Sequence, residues 1–92
     1  MLKVRYSARF KRDFKEVIKR GYSSAIFEEV VGLLREEKLL PEKCRDHALI
    51  GNYIGHRSCH FTPDWLLIYK VEKDILTLTL TRTGTHSDLF KR

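Results

Sequence analysis

The chain has 92 residues, a length that forms one small hydrophobic core, so a single domain over residues 1–92 is expected. Hydrophobic residues make up 42% of it and charged residues 33%, which is typical of a globular protein and excludes a disordered tail. The longest apolar run, Trp65 to Tyr69, is too short to span a membrane. With no visible signal peptide and two cysteines, the composition predicts a cytoplasmic protein without a disulfide framework.

The charge of the chain is basic and unevenly distributed. Eighteen Lys and Arg residues stand against twelve Asp and Glu residues, which gives a net charge of +6. Eight of the basic side chains and two of the acidic ones fall within residues 1–20, where Lys11, Lys15 and Lys19 recur at helical spacing. Such a basic patch indicates an acidic partner, with nucleic acid as the leading candidate and an ordinary solvated face as the alternative.

The first half of the chain predicts a strand followed by two helices. Apolar residues alternate with basic ones over residues 2–6, which is typical of a half-buried strand. Ser7 is a suitable N-cap for a first helix that Gly21 can end, and Ser23 or Ser24 is a suitable N-cap for a second. The apolar faces of the two helices are formed by Phe10, Phe14, Val17 and Ile18, and by Phe27, Val30, Val31 and Leu34.

The second half predicts the strands of a sheet that covers these helices. Residues 53–60 read as a strand, a turn follows at 62–64, and residues 65–69 are apolar on both faces, as in a central strand. A turn at 72–74 leads into a last strand over 75–82, in which leucines alternate with threonines. The order βααβββ predicts an α+β domain with a two-helix hairpin on one face of a small, mostly antiparallel sheet.

Histidine and arginine side chains in the second half provide candidate catalytic groups. Imidazole exchanges protons near neutral pH, and guanidinium holds a phosphate through two parallel hydrogen bonds. When the 2′-hydroxyl of RNA attacks its own phosphate, the useful groups are a base, an acid and a positive clamp, with no metal or cofactor. These residue types therefore fit a metal-free ribonuclease, with surface histidines as the alternative. They are His47, His56, His60, His86, Asp64, Arg57 and Arg82.

Two cysteine–histidine pairs raise the question of a zinc site. Cys44 and His47 are three positions apart, while Cys59 and His60 are adjacent. A structural zinc ion is usually held by four ligands in spaced pairs. Because adjacent residues on a strand point to opposite faces, the second pair cannot easily reach one ion. No metal is therefore predicted, and both cysteines are expected to be small buried or half-buried residues.

The alternation of the last strand leaves the orientation of Arg82 open. His60 and Asp64 flank the predicted turn and can share one site. Arg82, however, has the same parity as the leucines assigned to the core. Either the strand ends or bulges near Thr81, or the assigned core face is wrong.

Five short motifs follow one another through residues 46–90. They are Asp46-His47-Ala48-Leu49, Gly51, Gly55-x-Arg57-x-x-His60, Pro63-Asp64-Trp65-x-Leu67-x-Tyr69, and Arg82-Thr83-Gly84-Thr85-His86-x-x-Leu89-Phe90. In this order they closely resemble the YafQ-type branch of the RelE/ParE toxin superfamily. The resemblance extends over the whole chain in the order of its elements.

This resemblance implies the toxin of a bacterial type II toxin–antitoxin pair. The activity it implies is that of an mRNA interferase, which cuts translated mRNA on the ribosome. It also implies a cognate antitoxin that neutralises the toxin, and a complex of the two that binds its own promoter DNA. A ParE-like toxin that inhibits DNA gyrase is the alternative within the superfamily, and a general RNA-binding module is the alternative outside it.

The same resemblance implies roles for individual residues. The catalytic positions of the family fall on His47, His60, Asp64 and His86, and Arg82 is placed to stabilise the phosphate. Further residues expected at the RNA, from the resemblance or from their charge, are Trp65, Phe90, Arg57, Lys11, Lys15 and Lys19. The two aromatic residues have alternatives, since the tryptophan can belong to the core and the phenylalanine can hold the C-terminal segment in place.

Two positions depart from the family pattern. Ser58 stands where an acidic residue is familiar, and a hydroxyl cannot replace a carboxylate as the charge partner of a neighbouring histidine. His56 stands where an aromatic residue is familiar, and it is expected at the surface or at the edge of the substrate.

Overall fold

Two helices pack on a five-stranded sheet in the computed structural model, which describes residues 1–90. The strands are β1 Lys3–Tyr6, β2 His47–Ala48, β3 Arg57–Thr62, β4 Trp65–Glu72 and β5 Thr77–Gly84, and the helices are α1 Ala8–Lys19, α2 Ser24–Arg35 and α3 His86–Phe90. The strand order is β1-β5-β4-β3-β2, with β1 parallel to β5 and every other pair antiparallel. The predicted α+β class and the order of its elements are confirmed.

The helix ends follow from the local sequence. The Ser7 side chain accepts a hydrogen bond from the Phe10 N–H at 2.9 Å, and Ser23 accepts one from the Ile26 N–H at 3.5 Å. Gly21 adopts a φ of +95° in the turn between the helices, where a residue with a Cβ would be strained. The predicted first cap is confirmed, and of the two candidates for the second, Ser23 is the cap.

The main core lies between the two long helices and the sheet. Side chains of both helices meet alternate residues of β4 and β5 there. Within residues 1–90 no helix has the length and apolarity needed to cross a membrane. The largest fully buried members of this core are Trp65, Tyr69, Phe10, Leu2, Leu67, Leu78, Leu80 and Val17.

A second, smaller core covers the opposite face of the sheet. Leu66 and Ile68 point to this face and pack against Leu89 of α3, with Leu49 and Tyr53 at the margin. Residues 65–69 are therefore covered on both faces, as predicted. Neither α3 nor the two-residue strand β2 was predicted, and α3 supplies part of this cover.

The strand predicted over residues 53–60 begins later. Residues Gly51–Tyr53 form a 3₁₀ turn, and Gly55 has a φ of +89°, so extended structure starts at Arg57 and continues to Thr62. The hairpin turn then consists of Pro63 and Asp64 alone.

A β-bulge in β5 decides the orientation of Arg82. Ile68 pairs with Arg82, whereas the next residue, Tyr69, pairs with Leu80, so Thr81 is the extra residue. The bulge moves Arg82 to the face opposite Leu80 and removes the conflict in the sequence pattern. Of the alternatives left open above, a bulge near Thr81 is confirmed.

The chain turns into α3 through a tightly packed corner. The Thr85 N–H donates to the Asp88 carboxylate at 2.9 Å, and the Asp88 N–H donates to the Thr85 hydroxyl at 3.2 Å, a reciprocal capping box. Arg20 also donates to Asp88, at 2.8 Å, and together these contacts lower the pKa of that carboxyl to about 2. Gly84 has a φ of +154°, and a Cβ on it would lie 2.8 Å from the Asp88 Cβ. Only glycine fits this corner without displacing α3.

Candidate active site

Three of the four histidines converge on an open cleft at one end of the sheet. His47 comes from β2, His60 from β3 and His86 from the start of α3. The cleft has a volume of about 660 Å³, and the remaining lining residues are Lys43, Arg45 and Pro63. We call this site the histidine cleft.

His60 and His86 form the closest histidine pair. Their ring centroids are 5.6 Å apart and the rings are nearly perpendicular, at 87°. Burial lowers the pKa of His60, and the neighbouring His86, Arg45 and His47 lower it further because they disfavour another positive charge. His60 is therefore neutral at pH 7 and able to accept a proton.

His47 is held in one tautomer by the backbone. Its Nδ1 lies 2.8 Å from the Arg45 carbonyl oxygen, which can only accept a hydrogen bond, so Nδ1 carries the proton. The neutral ring then presents an unprotonated Nε2. Ser58 pairs with His47 across β2 and β3, and its buried hydroxyl has no hydrogen-bond partner within residues 1–90.

The loop that leads into β2 is tied to the sheet by Asp46. The Tyr69 hydroxyl donates to this carboxylate, and Arg57 binds it with two nitrogens, at 3.2 and 3.3 Å. Burial and the Asp46 charge raise the pKa of Tyr69, so its hydroxyl remains a donor. Arg57, predicted as a substrate contact, is thus an ion-pair partner of Asp46 and lies outside the lining of the histidine cleft.

Lys43 and Arg45 bring positive charge to the histidine cleft, and sequence reasoning missed both. Each is exposed, and neither makes an ion pair within the described part of the chain. Arg45 has a left-handed backbone, with φ +48°, at the turn between a short 3₁₀ helix and β2. The available signal was their position directly before the Asp46-His47 motif.

The structure does not bring Arg82 to the histidines. Its guanidinium makes two hydrogen bonds to Asp13 of α1, at 2.8 and 3.2 Å, and both side chains are largely buried. Asp13 also accepts from the Thr83 N–H at 3.2 Å. The guanidinium predicted to bind the phosphate therefore has its charge already balanced by Asp13.

Asp64 is likewise engaged elsewhere. Its carboxylate accepts hydrogen bonds from the Thr62 and Tyr22 hydroxyls, both at 2.9 Å, and these bonds lower its pKa. A carboxylate with a lowered pKa is a weaker base than the usual one. Asp64 joins the β3–β4 hairpin to the turn between α1 and α2.

The two aromatic residues predicted at the substrate differ in exposure. Trp65 is 0% exposed, its ring packs on Phe61, and its indole N–H donates to Thr83 at 2.8 Å. No face of this ring is open to a base, so the stacking role expected for Trp65 is wrong and the core alternative holds. Phe90 is half-buried, and its ring lies 6.2 Å from that of His86.

A family model described as the bacterial toxin YafQ of type II toxin–antitoxin systems matches residues 2–91. The chain belongs to the YafQ toxin family. The mRNA interferase toxin YafQ of Escherichia coli K12 is 38% identical over 88 residues, 95% of this chain and 94% of the relative. A metal-bound toxin from Helicobacter pylori is 41% identical, with a TM-score of 0.92 over 98% of this chain and 100% of that one.

A further solved structure contains a partner. In the E. coli DinJ–YafQ toxin–antitoxin complex the similar chain is 36% identical, with a TM-score of 0.86 over 97% of each chain. Membership of the YafQ family confirms the predicted resemblance and the predicted mRNA interferase toxin, which is a ribonuclease. The ParE-like alternative is not favoured.

The cysteines of this YafQ family member do not join the histidines. Cys44 and Cys59 are buried in the main core, and burial raises the pKa of both thiols. Among residues 1–90 no group of three histidine, cysteine, aspartate or glutamate side chains is arranged to hold a metal ion.

Proposed function

We propose that the histidine cleft binds the scissile phosphate of translated mRNA and that its histidines transfer the protons of cleavage. The convergence in one cleft of three histidines and two cations, which have no ion-pair partner among residues 1–90, carries this proposal. The substrate supplies the nucleophile, its own 2′-hydroxyl, so the protein has to supply a base, an acid and positive charge.

His60 and His86 take opposite roles in this proposal. His60 takes the proton of the 2′-hydroxyl, because its lowered pKa keeps it neutral at pH 7. The 2′-oxygen then bonds to phosphorus, the bond to the 5′-oxygen breaks, and that oxygen takes a proton from His86. The products are a 2′,3′-cyclic phosphate and a 5′-hydroxyl. His47 is the second candidate for the acid when its Nε2 also carries a proton, and Asp64 is a weaker candidate for the base.

Positive charge at the phosphate comes from Arg45 and Lys43. Their charges are not balanced by a carboxylate within residues 1–90, in contrast to that of Arg82. In a partly enclosed cleft such groups stabilise the extra negative charge of the pentavalent phosphate.

The lysine stripe of α1 supports a contact with ribosomal RNA. Lys11, Lys15 and Lys19 are exposed and recur along one side of the helix, outside the histidine cleft. Each phosphate contact contributes about 1 to the slope of log affinity against log salt. Replacing all three with glutamine is expected to weaken ribosome binding and to flatten this slope, and an unchanged slope would assign the stripe to a solvated face.

The same proposal assigns partners to the chain. Its type II system provides a cognate antitoxin that neutralises it, and the complex of the two binds promoter DNA. Because its proposed substrate is mRNA under translation, we expect the toxin to act in the cytoplasm.

Single-turnover cleavage on programmed ribosomes tests the proposal. The parent chain is expected to leave a 2′,3′-cyclic phosphate, and to do so after treatment of the protein with EDTA, with magnesium restored for the ribosome. Loss of cleavage after removal of zinc or copper from the protein, and its return with that metal, would overturn the metal-free mechanism. A 3′-hydroxyl end at the cut would overturn the attack by the 2′-hydroxyl.

A further inference from the structure

A second cleft lies beside the histidine cleft, on the face of the sheet that carries the smaller core. Its volume is about 480 Å³. Its walls combine aromatic, apolar and cationic side chains, namely Tyr53, Phe90, Ile50, Asn52, Arg9 and Arg82. We call it the second cleft.

Phe90 connects the two clefts. Its ring lies 6.2 Å from that of His86 in the histidine cleft and 6.3 Å from that of Tyr53 in the second cleft. The Tyr53 and Phe90 rings meet edge to face, at 88°, so the two planes form a corner. A chain that leaves the histidine cleft past Phe90 enters this corner.

The apolar walls of the second cleft are accessible to a ligand. Tyr53 is half-buried, so part of its ring faces the cleft, and it is also held edge-on against His56 at 6.0 Å. Ile50 is 87% exposed next to it, in the segment that leads into the Gly51–Tyr53 turn. A flat aromatic surface next to an exposed aliphatic side chain suits the face of a nucleobase.

Arg9 supplies the cleft with an available positive charge. Its side chain is 57% exposed and lies 3.6 Å from Asp13, which is already bound by Arg82. The only carboxylate in the wall of the cleft, within residues 1–90, is Asp88, and Arg20 balances its charge at 2.8 Å. Arg9 is therefore held only by an exposed ion pair, which an approaching phosphate can replace.

We infer that the second cleft binds the nucleotide next to the scissile phosphate, with its base against Tyr53 and its phosphate at Arg9. This inference rests on the proposed function of the histidine cleft. Stacking tolerates any base, so the contact strengthens binding of the RNA without reading its sequence. The Asn52 amide, at the same wall, can both donate to and accept from a base edge.

A double-mutant cycle that combines a protein variant with an altered RNA tests this inference, with single-turnover cleavage on programmed ribosomes as the measurement. Tyr53→Leu is expected to raise the toxin concentration for half-maximal rate by about 5- to 100-fold, the range of one base stack. The same variant is then compared on mRNA in which the nucleotide on one side of the cut is abasic. On that RNA the parent and the variant are expected to cleave alike, because the interaction is already lost. Arg9→Gln is expected to weaken binding and to lower its salt dependence.

Tyr6→Leu and Arg5→Gln are matched controls on β1, exposed and outside both clefts, and both are expected to behave as the parent. Equal losses for Tyr53→Leu on normal RNA and on RNA abasic at either flank would overturn the inference, as would no loss at all. Absence of cleavage by the parent chain would instead overturn the proposed function, so the two failures are distinguishable.

Discussion

Arg45 and Arg82 lie near the same end of the sheet and differ in what surrounds them. Arg82 belongs to a motif of the resemblance, yet Asp13 binds it with two hydrogen bonds in a largely buried pair. Arg45 belongs to no recognised motif, yet its exposed side chain lines the histidine cleft without a partner in residues 1–90. From this difference we expect phosphate to bind at the cation whose charge the fold has left unbalanced.

The largest effect is expected from His86→Gln. Glutamine at this position keeps a hydrogen bond but exchanges no proton near neutral pH. The loss of rate is therefore expected to be larger than the loss on replacing Arg45 or Arg82. Cleavage is expected to slow by at least about 100-fold. The measurement is single-turnover cleavage on programmed ribosomes, with a thermal melt and an antitoxin-binding assay to establish folding.

Ser87→Ala is the control, since Ser87 is the exposed neighbour of His86 on α3 and lies outside the lining of both clefts. A rate for His86→Gln within about threefold of the parent would remove His86 from the mechanism.

The comparison of the arginines is tested directly by replacing each with glutamine. Arg45→Gln is expected to slow cleavage by about 10- to 100-fold with an unchanged melting temperature, because it removes charge stabilisation at the phosphate. Arg82→Gln leaves the largely buried Asp13 carboxylate with only the exposed Arg9 as a cation, so a loss of about 1–3 kcal/mol of stability is expected. Because Arg82 lines the second cleft but not the histidine cleft, its rate per folded molecule at saturating toxin is expected to stay near that of the parent.

The opposite result would be a stable Arg82→Gln variant that cannot cleave and an active Arg45→Gln variant. It would assign phosphate binding to Arg82.

A smaller effect is expected from Tyr69→Phe, which removes the hydroxyl that holds Asp46. The loop that carries Arg45 and His47 then loses one anchor, so kcat is expected to fall by several-fold to about 10-fold while KM stays unchanged. Tyr22→Phe removes a hydroxyl from Asp64 in the same way and serves as the control. Equal loss of kcat in both variants would indicate a general effect on the fold.

The smallest effect concerns pH and His60. Because its pKa in the folded chain lies below that of the unfolded chain, about 6.5, the unfolded state binds the proton more tightly. Stability is unaffected by this group above pH 6.5 and falls as the pH drops through the window below it. Urea unfolding across pH 5 to 8 should show a shallower loss in His60→Gln, and an identical profile would contradict the shift.

The sequence pattern was informative wherever one periodicity dominated. The caps at Ser7 and Ser23, the apolar face of α2 and the doubly buried strand were all predictable from spacing and side-chain chemistry. On α1 the predicted apolar face was wrong at Ile18, which is 38% exposed. The bulge at Thr81 was predicted only as one of three alternatives, because an extra residue cannot be recognised until the pairing with β4 is known. The capping box at Thr85 and Asp88 was a readable local signal that was overlooked.

The site was less predictable than the fold. His47, His60 and His86 do meet, but their catalytic roles remain predictions. The sequence could not show which motif residues are free to contact substrate. Arg82 and Asp64 are held by partners that lie far away in the chain. The partner of Arg82 lies 69 residues earlier, and one of the partners of Asp64 lies 42 residues earlier.

The corner at Gly84 has a genetic consequence. Because a methyl group there would collide with Asp88, alanine at this position moves α3, and His86 moves with it. The main core and the lysine stripe of α1 make no contact with that corner within residues 1–90. Survivors of forced expression without antitoxin are therefore expected to include missense changes at codon 84. These survivors should accumulate full-length variant protein that still binds antitoxin. In a cell that also makes wild-type toxin, the variant would compete for antitoxin and leave wild-type toxin unbound.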